Sequence, residues 1–295
     1  SFVDVGRKID VSGNDVLQAW EEDPSTSVAT LYLESFGNPK KFVRIARRMA
    51  RTTPIITVKA GNLPIPTRPF DTSMAPDRSP EAWPVDASFG ALLAQAGVVR
   101  VDTLPEMFDV ARTLLHQPVP GGRSVAIISN SSGATAMTVD ACSTARLDLA
   151  VFDATSPDLL SIPTDSQPGI NPLELPFDAG ASDYETALAA VAGDPAVDAV
   201  VVVYAPATRD HHTSVGRAVA AAASANPDVT VVACFLGAPI DEPLVHGPTR
   251  IPLFELPEEG VRVLGRLADL GEWLRLPEGT APEPEDLGID LDRAN

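Results

Sequence analysis

The stretch SVAIISNSSGATAMTVDACSTA, from Ser124 to Ala145, decides how this chain is expected to fold. It opens with a run of apolar and β-branched residues, which predicts a buried strand over Val125–Ser129. The small polar residues Asn130–Gly133 predict a tight turn, and Ala134–Ala145 is typical of a helix. The stretch therefore predicts one strand–turn–helix unit of an α/β domain.

The predicted turn is also a candidate anion site. The first N–H groups of a helix have no intrahelical acceptor, and the helix dipole favours negative charge there. Gly133 would let a ligand approach the backbone closely, and Ser131 or Ser132 would cap the helix. An ordinary strand–turn–helix unit that binds no ligand fits the same residues, so the rest of the chain has to decide.

Composition limits the classes of function that remain. The chain has 295 residues and 44% hydrophobic residues, which favours two globular domains. Its 40 acidic and 22 basic residues give a net charge of −18. This charge opposes nucleic-acid binding, so no nucleic-acid partner is expected and any phosphate site must be built from local donors.

Targeting signals and cysteine usage favour a cytoplasmic location. No apolar run approaches the roughly 20 residues that cross a bilayer, and residues 1–10 lack the apolar core of a signal peptide, so no membrane partner is expected. Cys142 and Cys234 cannot form a disulfide framework. We predict that both are inert buried thiols in a reducing compartment.

Short apolar runs alternate with helical segments along the whole chain. This alternation predicts an α/β fold of two flavodoxin-like domains, each a doubly wound, mainly parallel sheet in three layers. The expected domains are residues 1–118 and 123–276, followed by an acidic, proline-containing linker at 277–295. Residues 62–84 carry six prolines and are expected to form a long surface loop. The predicted strands are Phe2–Val5, Val28–Glu34, Ile55–Lys59, Val98–Val101, Val125–Ser129, Leu149–Phe152, Ala199–Tyr204, Thr230–Phe235 and Leu253–Phe254.

Ligands of an open α/β sheet bind beyond the carboxyl ends of its strands. Glu34 and Lys59 lie at two such ends, and the Asn130–Gly133 turn at a third. Glu34 could orient a cationic or imidazole group or could begin a helix cap, and Lys59 could face a phosphate or extend along apolar surface. No Walker motif or Gly-x-Gly-x-x-Gly follows a strand, so a self-contained nucleotide site is not expected.

The histidines form no catalytic or metal-binding pattern. His116 ends a predicted helix, whereas His211, His212 and His246 lie in predicted loops. Metal sites in proteins combine several His, Cys or carboxylate ligands at short spacing, and no such cluster surrounds these residues. We therefore predict no metal site.

Several segments resemble the NDP-forming acyl-CoA synthetases, the relatives of succinyl-CoA synthetase. The resemblance covers roughly Phe2 to Leu276. The segments that carry it are DVSGNDVLQAWEEDPSTSVATLYLESFGNPKKFVRIARR (Asp10–Arg48), QAGVVRVDTLPEMFDVARTL (Gln95–Leu114), VAIISNSSG (Val125–Gly133) and NPLEL (Asn171–Leu175).

The resemblance implies an architecture and a set of partners. The complete proteins contain a CoA-binding domain, two flavodoxin-like ligase domains and an ATP-grasp domain, and this chain resembles the two ligase domains. It would begin just after the first strand and helix of the first ligase domain and end in the lead into the ATP-grasp part. No cofactor is expected on this chain alone, whereas CoA and ATP or ADP with Mg²⁺ are implied for the full-length protein. A homo-oligomer is also expected.

The resemblance also assigns residue roles. Glu34 matches the carboxylate that orients the family's phosphohistidine. Asn130, Ser131, Ser132 and Gly133 match the helix start that holds its phosphate, in agreement with the anion argument. A further family motif is matched by Asn171, Pro172 and Glu174, with Glu174 in place of the family's Asp.

One departure changes the expected function. The family's phosphohistidine lies in a Ser-His-Thr-Gly stretch, and the corresponding stretch here is Asp77–Pro80, with Arg78 in the histidine position. No histidine occurs anywhere in residues 1–115. A guanidinium stays protonated and accepts no phosphoryl group in this chemistry, although it can pair with a carboxylate or hold a phosphate.

Three functions remain from the sequence. The favoured hypothesis is an impaired synthetase region that senses acyl-CoA or nucleotide within a larger protein, of the kind fused to a GNAT-type lysine acetyltransferase. The second is a working ADP-forming synthetase region that uses a histidine such as His211 or His212. The third is a structural or oligomerisation module.

Overall fold

The computed structural model describes residues 1–6, 11–33, 38–59, 83–153, 155–165, 167–206, 212–237 and 243–277, without the side chains of residues 83–88. The helices are α1 (Gly13–Glu21), α2 (Pro39–Met49), α3 (Trp83–Gln95), α4 (Leu104–Leu114), α5 (Ser132–Thr144), α6 (Pro157–Leu160), α7 (Ala181–Ala192), α8 (His212–Ser224) and α9 (Pro257–Arg275). The strands are β1 (Ala29–Leu33), β2 (Ile55–Lys59), β3 (Val98–Val101), β4 (Ser124–Ser129), β5 (Asp148–Leu149), β6 (Leu173–Glu174), β7 (Ala199–Tyr204), β8 (Thr230–Phe235), β9 (Leu244–His246), β10 (Thr249–Ile251) and β11 (Leu253–Phe254).

The first sheet is parallel, with strand order β1-β2-β3 among the described residues. Leu33 pairs in register with Lys59, so the carboxyl ends of β1 and β2 lie at one edge. The first four residues of the central strand β2, including Thr57, are buried, as expected for a strand covered on both faces. Helix α2 buries Phe42, Ile45 and Met49 and exposes its arginines.

The second sheet has the strand order β11-β8-β7-β4-β5, and the short strand β6 also pairs with β4. All of these pairings are parallel. The connection reverses direction between β4 and β7, which makes that junction the switch point of a flavodoxin-like order. The predicted α/β class with mainly parallel sheets is therefore confirmed.

Helices cover both faces of the second sheet. Alternate residues such as Ile127 and Val201 pack with α5 and α9, whereas their neighbours Ile128 and Val202 pack with α7 and α8. This period of two is the usual consequence of strand geometry. The second sheet is thus the middle layer of three, with α5 and α9 on one side.

Helix α9 also contacts the first sheet. The Trp273 ring packs against Gly97 after α3, and its indole N–H donates to the carbonyl of Gln95 at 3.3 Å. Arg51, just beyond α2, donates to the carbonyls of Leu274 and Leu276 at 2.7 and 2.9 Å. One hydrophobic core therefore runs from the first sheet through α9 to the second sheet.

The predicted strand Phe2–Val5 is wrong, because these residues are exposed or half-buried and pair with no strand among the described residues. Two parts of the second half also differ from the sequence prediction. The predicted strand Leu149–Phe152 is wrong beyond Leu149, because the Asn171 side chain takes the place of a neighbouring strand along the middle of β4. Residues 244–251 form an antiparallel hairpin, β9–β10, where a loop was expected. The described helices include none long and apolar enough to cross a membrane.

Candidate anion-binding site

The turn between β4 and α5 lies at the switch point between β4 and β7. Strand β4 ends at Ser129, and Ser131 is the N-cap of α5 in an extended conformation. The Ser131 side chain makes no capping hydrogen bond, while its N–H donates to Ser129 Oγ at 3.1 Å. The next N–H groups, in the first turn of α5, have no intrahelical acceptor and remain available to an anion.

Space for a ligand lies over this helix start. Ser132 and Gly133 are exposed, whereas Ala134 and Thr135 are buried and anchor the helix on the sheet. A Cβ added to Gly133 would meet no described atom within 4 Å. No basic side chain belongs to the turn, so the backbone N–H groups and the helix dipole supply its positive potential.

Asn130 organises the turn from beneath it. Asn130 is only 4% exposed. Its Nδ2 group donates to the carbonyls of Phe177 and Ala205 at 3.0 and 2.8 Å, and its Oδ1 accepts from the Ala205 N–H at 2.8 Å. These bonds join the end of β4 to the residue that follows β7 and to the loop after β6. In this geometry the buried Asn130 side chain fixes the backbone of the turn, whereas Ser132 and Gly133 are the exposed residues of the turn.

Asn171 stabilises β4 from the side. Its Oδ1 accepts from the Ile127 N–H at 3.0 Å, and its Nδ2 donates to the carbonyls of Val125 and Ala150 at 2.8 and 3.0 Å. The Asn171–Pro172 peptide bond is cis. The side chain therefore fills the interval in the sheet where β5 has ended and β6 has not yet begun.

Glu174 lies beside the turn. It pairs in register with Ser129, the last residue of β4, so the NPLEL segment and the Asn130–Gly133 turn meet at the same edge of the sheet. Its backbone carbonyl accepts from Thr164 Oγ1 at 2.6 Å and from the Asp165 N–H at 2.9 Å. The structure thus brings together two motifs that are about 40 residues apart in sequence.

The first sheet contributes less to the site that the structure describes. Glu34, Arg78 and His211 lie outside the described residues, and their predicted roles stay predictions. The Lys59 ammonium lies 5.0 Å from the centre of the Phe89 ring. Lys59 thus packs its ammonium group against an aromatic face, the second of the two roles expected from the sequence.

The cysteines are buried and chemically quiet. Burial raises the pKa of the Cys142 thiol to about 11. Burial, together with the charges of Glu258 and Glu259, raises the pKa of Cys234 to about 12. Both thiols therefore stay protonated near neutral pH. Since the nucleophilic form of cysteine is the thiolate, neither is expected to be reactive.

His212 lies on the other side of the sheet from α5. It begins α8, and its ring meets Tyr204 edge to face with centroids 5.7 Å apart. Its buried Nδ1 has no hydrogen-bond partner among the described residues.

Glu258, at the start of α9, also has a buried oxygen without such a partner, and nothing in its sequence surroundings indicated this. Within the described ranges no group of three His, Cys, Asp or Glu residues could hold a metal ion.

Comparison with known proteins identifies the relatives of this chain. Residues 1–114 match the family described as "Succinyl-CoA ligase like flavodoxin domain". The chain is 28% identical over 301 residues to an acetate–CoA ligase [ADP-forming] I of Archaeoglobus fulgidus, covering 99% of this chain and 40% of the relative. It is 24% identical over 285 residues to a 4-hydroxybutyrate–CoA ligase [ADP-forming] of Nitrosopumilus maritimus, covering 95% of this chain and 40% of the relative. Over nearly its whole length, this chain is therefore similar to ADP-forming acyl-CoA ligases.

A solved structure shows the same fold in such a ligase. The dinucleotide-forming acetyl-coenzyme A synthetase 1 of Ca. Korarchaeum cryptofilum, in complex with phosphate and ADP, aligns with a TM-score of 0.73 at 22% identity. The alignment covers 92% of this chain and 59% of that one. The present chain spans about two fifths of the length of each of the two curated ligases above.

Proposed function

We propose that this chain is the pair of ligase domains of a longer acyl-CoA synthetase-like protein of the ADP-forming type, and that the start of α5 binds a phosphate group there. The observation that carries the proposal is the exposed first turn of α5 at the β4–β7 switch point, where no described atom lies within 4 Å of a Cβ added to Gly133. This arrangement suits a phosphate, because a helix N-terminus supplies both N–H donors and a favourable dipole. The relatives named as ADP-forming CoA ligases support the same chemistry.

We further propose that the region senses acyl-CoA or nucleotide and does not relay phosphate. The support is chemical: residues 1–115 contain no histidine, and Arg78 occupies the position that the resemblance gives to the phosphohistidine. An arginine at that position can pair with Glu34 or hold a phosphate, but its protonated guanidinium is not a phosphoryl acceptor in this chemistry. CoA and ATP or ADP with Mg²⁺ would be held by CoA-binding and ATP-grasp domains of the same or a partner chain. A protein acetyltransferase of the GNAT type is the catalytic partner proposed for such a region.

The phosphate site is tested by calorimetric titration of the chain with inorganic phosphate, ADP and acetyl-CoA. Gly133→Asp places a carboxylate where the anion would bind, and we expect it to weaken phosphate binding at least about tenfold. The matched control is Gly13→Asp, because Gly13 is also a first-turn glycine with no described atom within 4 Å of its added Cβ. Equal weakening by both changes would contradict the site. No heat with any of the three ligands would favour the structural or oligomerisation alternative.

A working synthetase is the second candidate, because the curated relatives are named as ligases. Incubation of the full-length protein with labelled ATP distinguishes the two. Sensing predicts no acid-labile phosphate on the chain, whereas a phosphohistidine relay predicts it. His211→Gln and His212→Gln would then identify the histidine, although His212 lies on the face of the sheet opposite α5.

A further inference from the structure

Helix α2 presents a basic face in a strongly acidic chain. The net charge of the whole sequence is −18, yet one side of α2 and the turn after it carries five cations. These residues are Lys40, Arg44, Arg47, Arg48 and Arg51. The opposite side of α2 is buried against the first sheet. This face is therefore a local region of positive potential in a chain whose net charge is negative.

Only some of these cations have partners in the described part of the chain. Arg48 makes a two-pronged ion pair with Glu21, with N–O distances of 2.9 and 2.7 Å. Arg51 binds two backbone carbonyls and stacks on the Trp273 ring at 4.4 Å. Lys40, Arg44 and Arg47 are exposed and meet no acceptor among the described residues. Three cations thus remain available for an acidic ligand.

A groove runs along this face. Its volume is about 900 Å³, and the cations line it together with Val43 and Leu92, which add apolar surface. A groove with apolar patches and cationic walls suits an extended peptide that carries both carboxylates and aliphatic side chains. A small inorganic anion would leave most of it unfilled.

The chain itself leaves α9 at one end of the groove. Arg51 lines the groove and also binds the carbonyl of Leu276, just beyond the last residue of α9. Residues 278–295, EGTAPEPEDLGIDLDRAN, then contain six acidic residues, one arginine and the aliphatic residues Leu287, Ile289 and Leu291. The 11 residues of α2 span about 16 Å, which roughly five or six extended residues can cover.

We propose that the acidic segment 278–295 binds the basic groove of α2 in the same molecule. Its carboxylates pair with Lys40, Arg44 and Arg47, and its aliphatic residues contact Val43 and Leu92. Each exposed ion pair contributes little by itself. Covalent attachment at Leu276, however, raises the local concentration of the segment to the millimolar range, so a few weak contacts are sufficient.

Photo-crosslinking of the 295-residue chain tests the proposal. The photoreactive residue p-benzoylphenylalanine replaces Leu287, and mass spectrometry identifies the crosslinked peptide. We expect crosslinks within one molecule to the α2 peptide or to the peptide containing Leu92. Arg44→Glu combined with Arg47→Glu should lower their yield at least about fivefold. Salt at 1 M should do the same, because it shortens the screening length to about 3 Å.

The control is Arg217→Glu combined with Arg262→Glu. It changes the net charge equally at exposed positions on α8 and α9 and should leave the crosslinks unchanged. Mixing isotope-labelled and unlabelled chains separates crosslinks within one molecule from those between copies. Crosslinks between copies, crosslinks to other peptides, insensitivity to charge reversal or no crosslink would each overturn the proposal. The phosphate titration above uses a different part of the molecule, so the two proposals can fail independently.

Discussion

Gly97 shows how a single residue determines the contact between the first sheet and α9. Its φ of +74° lies in the left-handed region, which favours glycine. An added Cβ would also lie 2.5 Å from the Trp273 ring. The Gln-Ala-Gly sequence belongs to a segment that carries the family resemblance. The sequence does not show, however, that its glycine packs against a tryptophan 176 positions later.

We expect Gly97→Ala to lower the free energy of unfolding by about 2 to 4 kcal/mol. Left-handed strain and forced displacement of a packed ring each contribute about 1 to 3 kcal/mol. Urea unfolding followed by tryptophan fluorescence measures the effect. Gly13→Ala is the control and should change stability by less than about 1 kcal/mol, since its added methyl meets open space. Similar midpoints for both variants would contradict the close packing of Gly97 on Trp273.

Asn171 has a structural role that its motif alone does not reveal. We expect Asn171→Ala to cost about 2 to 4 kcal/mol, because it breaks three hydrogen bonds and leaves Ile127 N–H without its acceptor. Hydrogen exchange gives a local readout: the Ile127 amide should lose protection, while Val201 on the neighbouring strand keeps it. Unchanged protection at Ile127 would show that water or a shifted strand replaces the side chain.

At the scale of elements, ion pairs place α9 against α4. Glu106 is only 4% exposed and accepts from Arg266 Nε at 2.9 Å and from the Asp102 N–H at 3.0 Å. Arg266 also pairs with Asp102 at 3.1 Å. Removing the cation from a buried carboxylate lowers stability far more than removing it from an exposed one. These contacts therefore favour the observed packing of α9 against α4 over alternative positions of the helix.

Arg266→Leu should therefore lower the free energy of unfolding by about 3 kcal/mol, since it leaves the Glu106 carboxylate buried without a cation. The control, Arg262→Leu, removes an exposed arginine one turn earlier on α9 and should cost less than about 0.5 kcal/mol. Chemical denaturation of both variants measures the difference. Equal stability of the two would mean that water satisfies Glu106.

The far end of α9 gives a dependence on pH. Arg123 donates to both oxygens of Glu272 at 2.5 and 2.9 Å, and these bonds hold the pKa of Glu272 below its ordinary value of 4.5. A lowered folded-state pKa stabilises the fold above the unfolded value, and this contribution is lost as the pH falls through the folded value. The stability difference between the wild type and Glu272→Gln should thus be largest near neutral pH and shrink below about pH 4.5.

Urea midpoints at pH 7, 5, 4 and 3.5 check this dependence. Glu185→Gln on α7 is the control, because Glu185 is exposed and forms no ion pair within the described ranges. Its effect should be small at every pH. A Glu272→Gln difference that grows on acidification would reverse the sign and refute the pairing.

Elements were predictable where local pattern and burial agree. Ile55–Lys59, Val98–Val101, Ala199–Tyr204 and Thr230–Phe235 were predicted with the bounds that the structure has. These strands are apolar runs whose burial on both faces leaves little ambiguity. The strand predicted at Leu149–Phe152 ends early because of Asn171, a residue distant in sequence. The β9–β10 hairpin depends on the geometry of its turn. Local sequence patterns report neither.

At the scale of the whole molecule, the candidate site depends on parts brought together by the fold. The residue types of the strand–turn–helix at Ser124–Ala145 predicted a candidate anion site and left open an ordinary unit that binds no ligand. The sequence did not indicate that Asn130 would clamp the turn to the end of β7, because that contact joins residues 75 positions apart. Nor did the predicted domain boundary at 118–123 indicate that one core would continue through α9 into both sheets.

This shared core predicts how the molecule unfolds. Helix α9 packs against the first sheet as well as the second. If α9 detaches when the second sheet unfolds, the first sheet should therefore unfold with it. We expect one calorimetric transition, with equal calorimetric and van't Hoff enthalpies. Trp273→Ala should lower Tm by about 5 to 8 °C, since truncating a buried tryptophan costs roughly 3 to 5 kcal/mol. Val151→Ala, at a position 84% exposed, should leave Tm unchanged. Two resolved transitions in the wild type would show that the sheets fold independently and that α9 only bridges them.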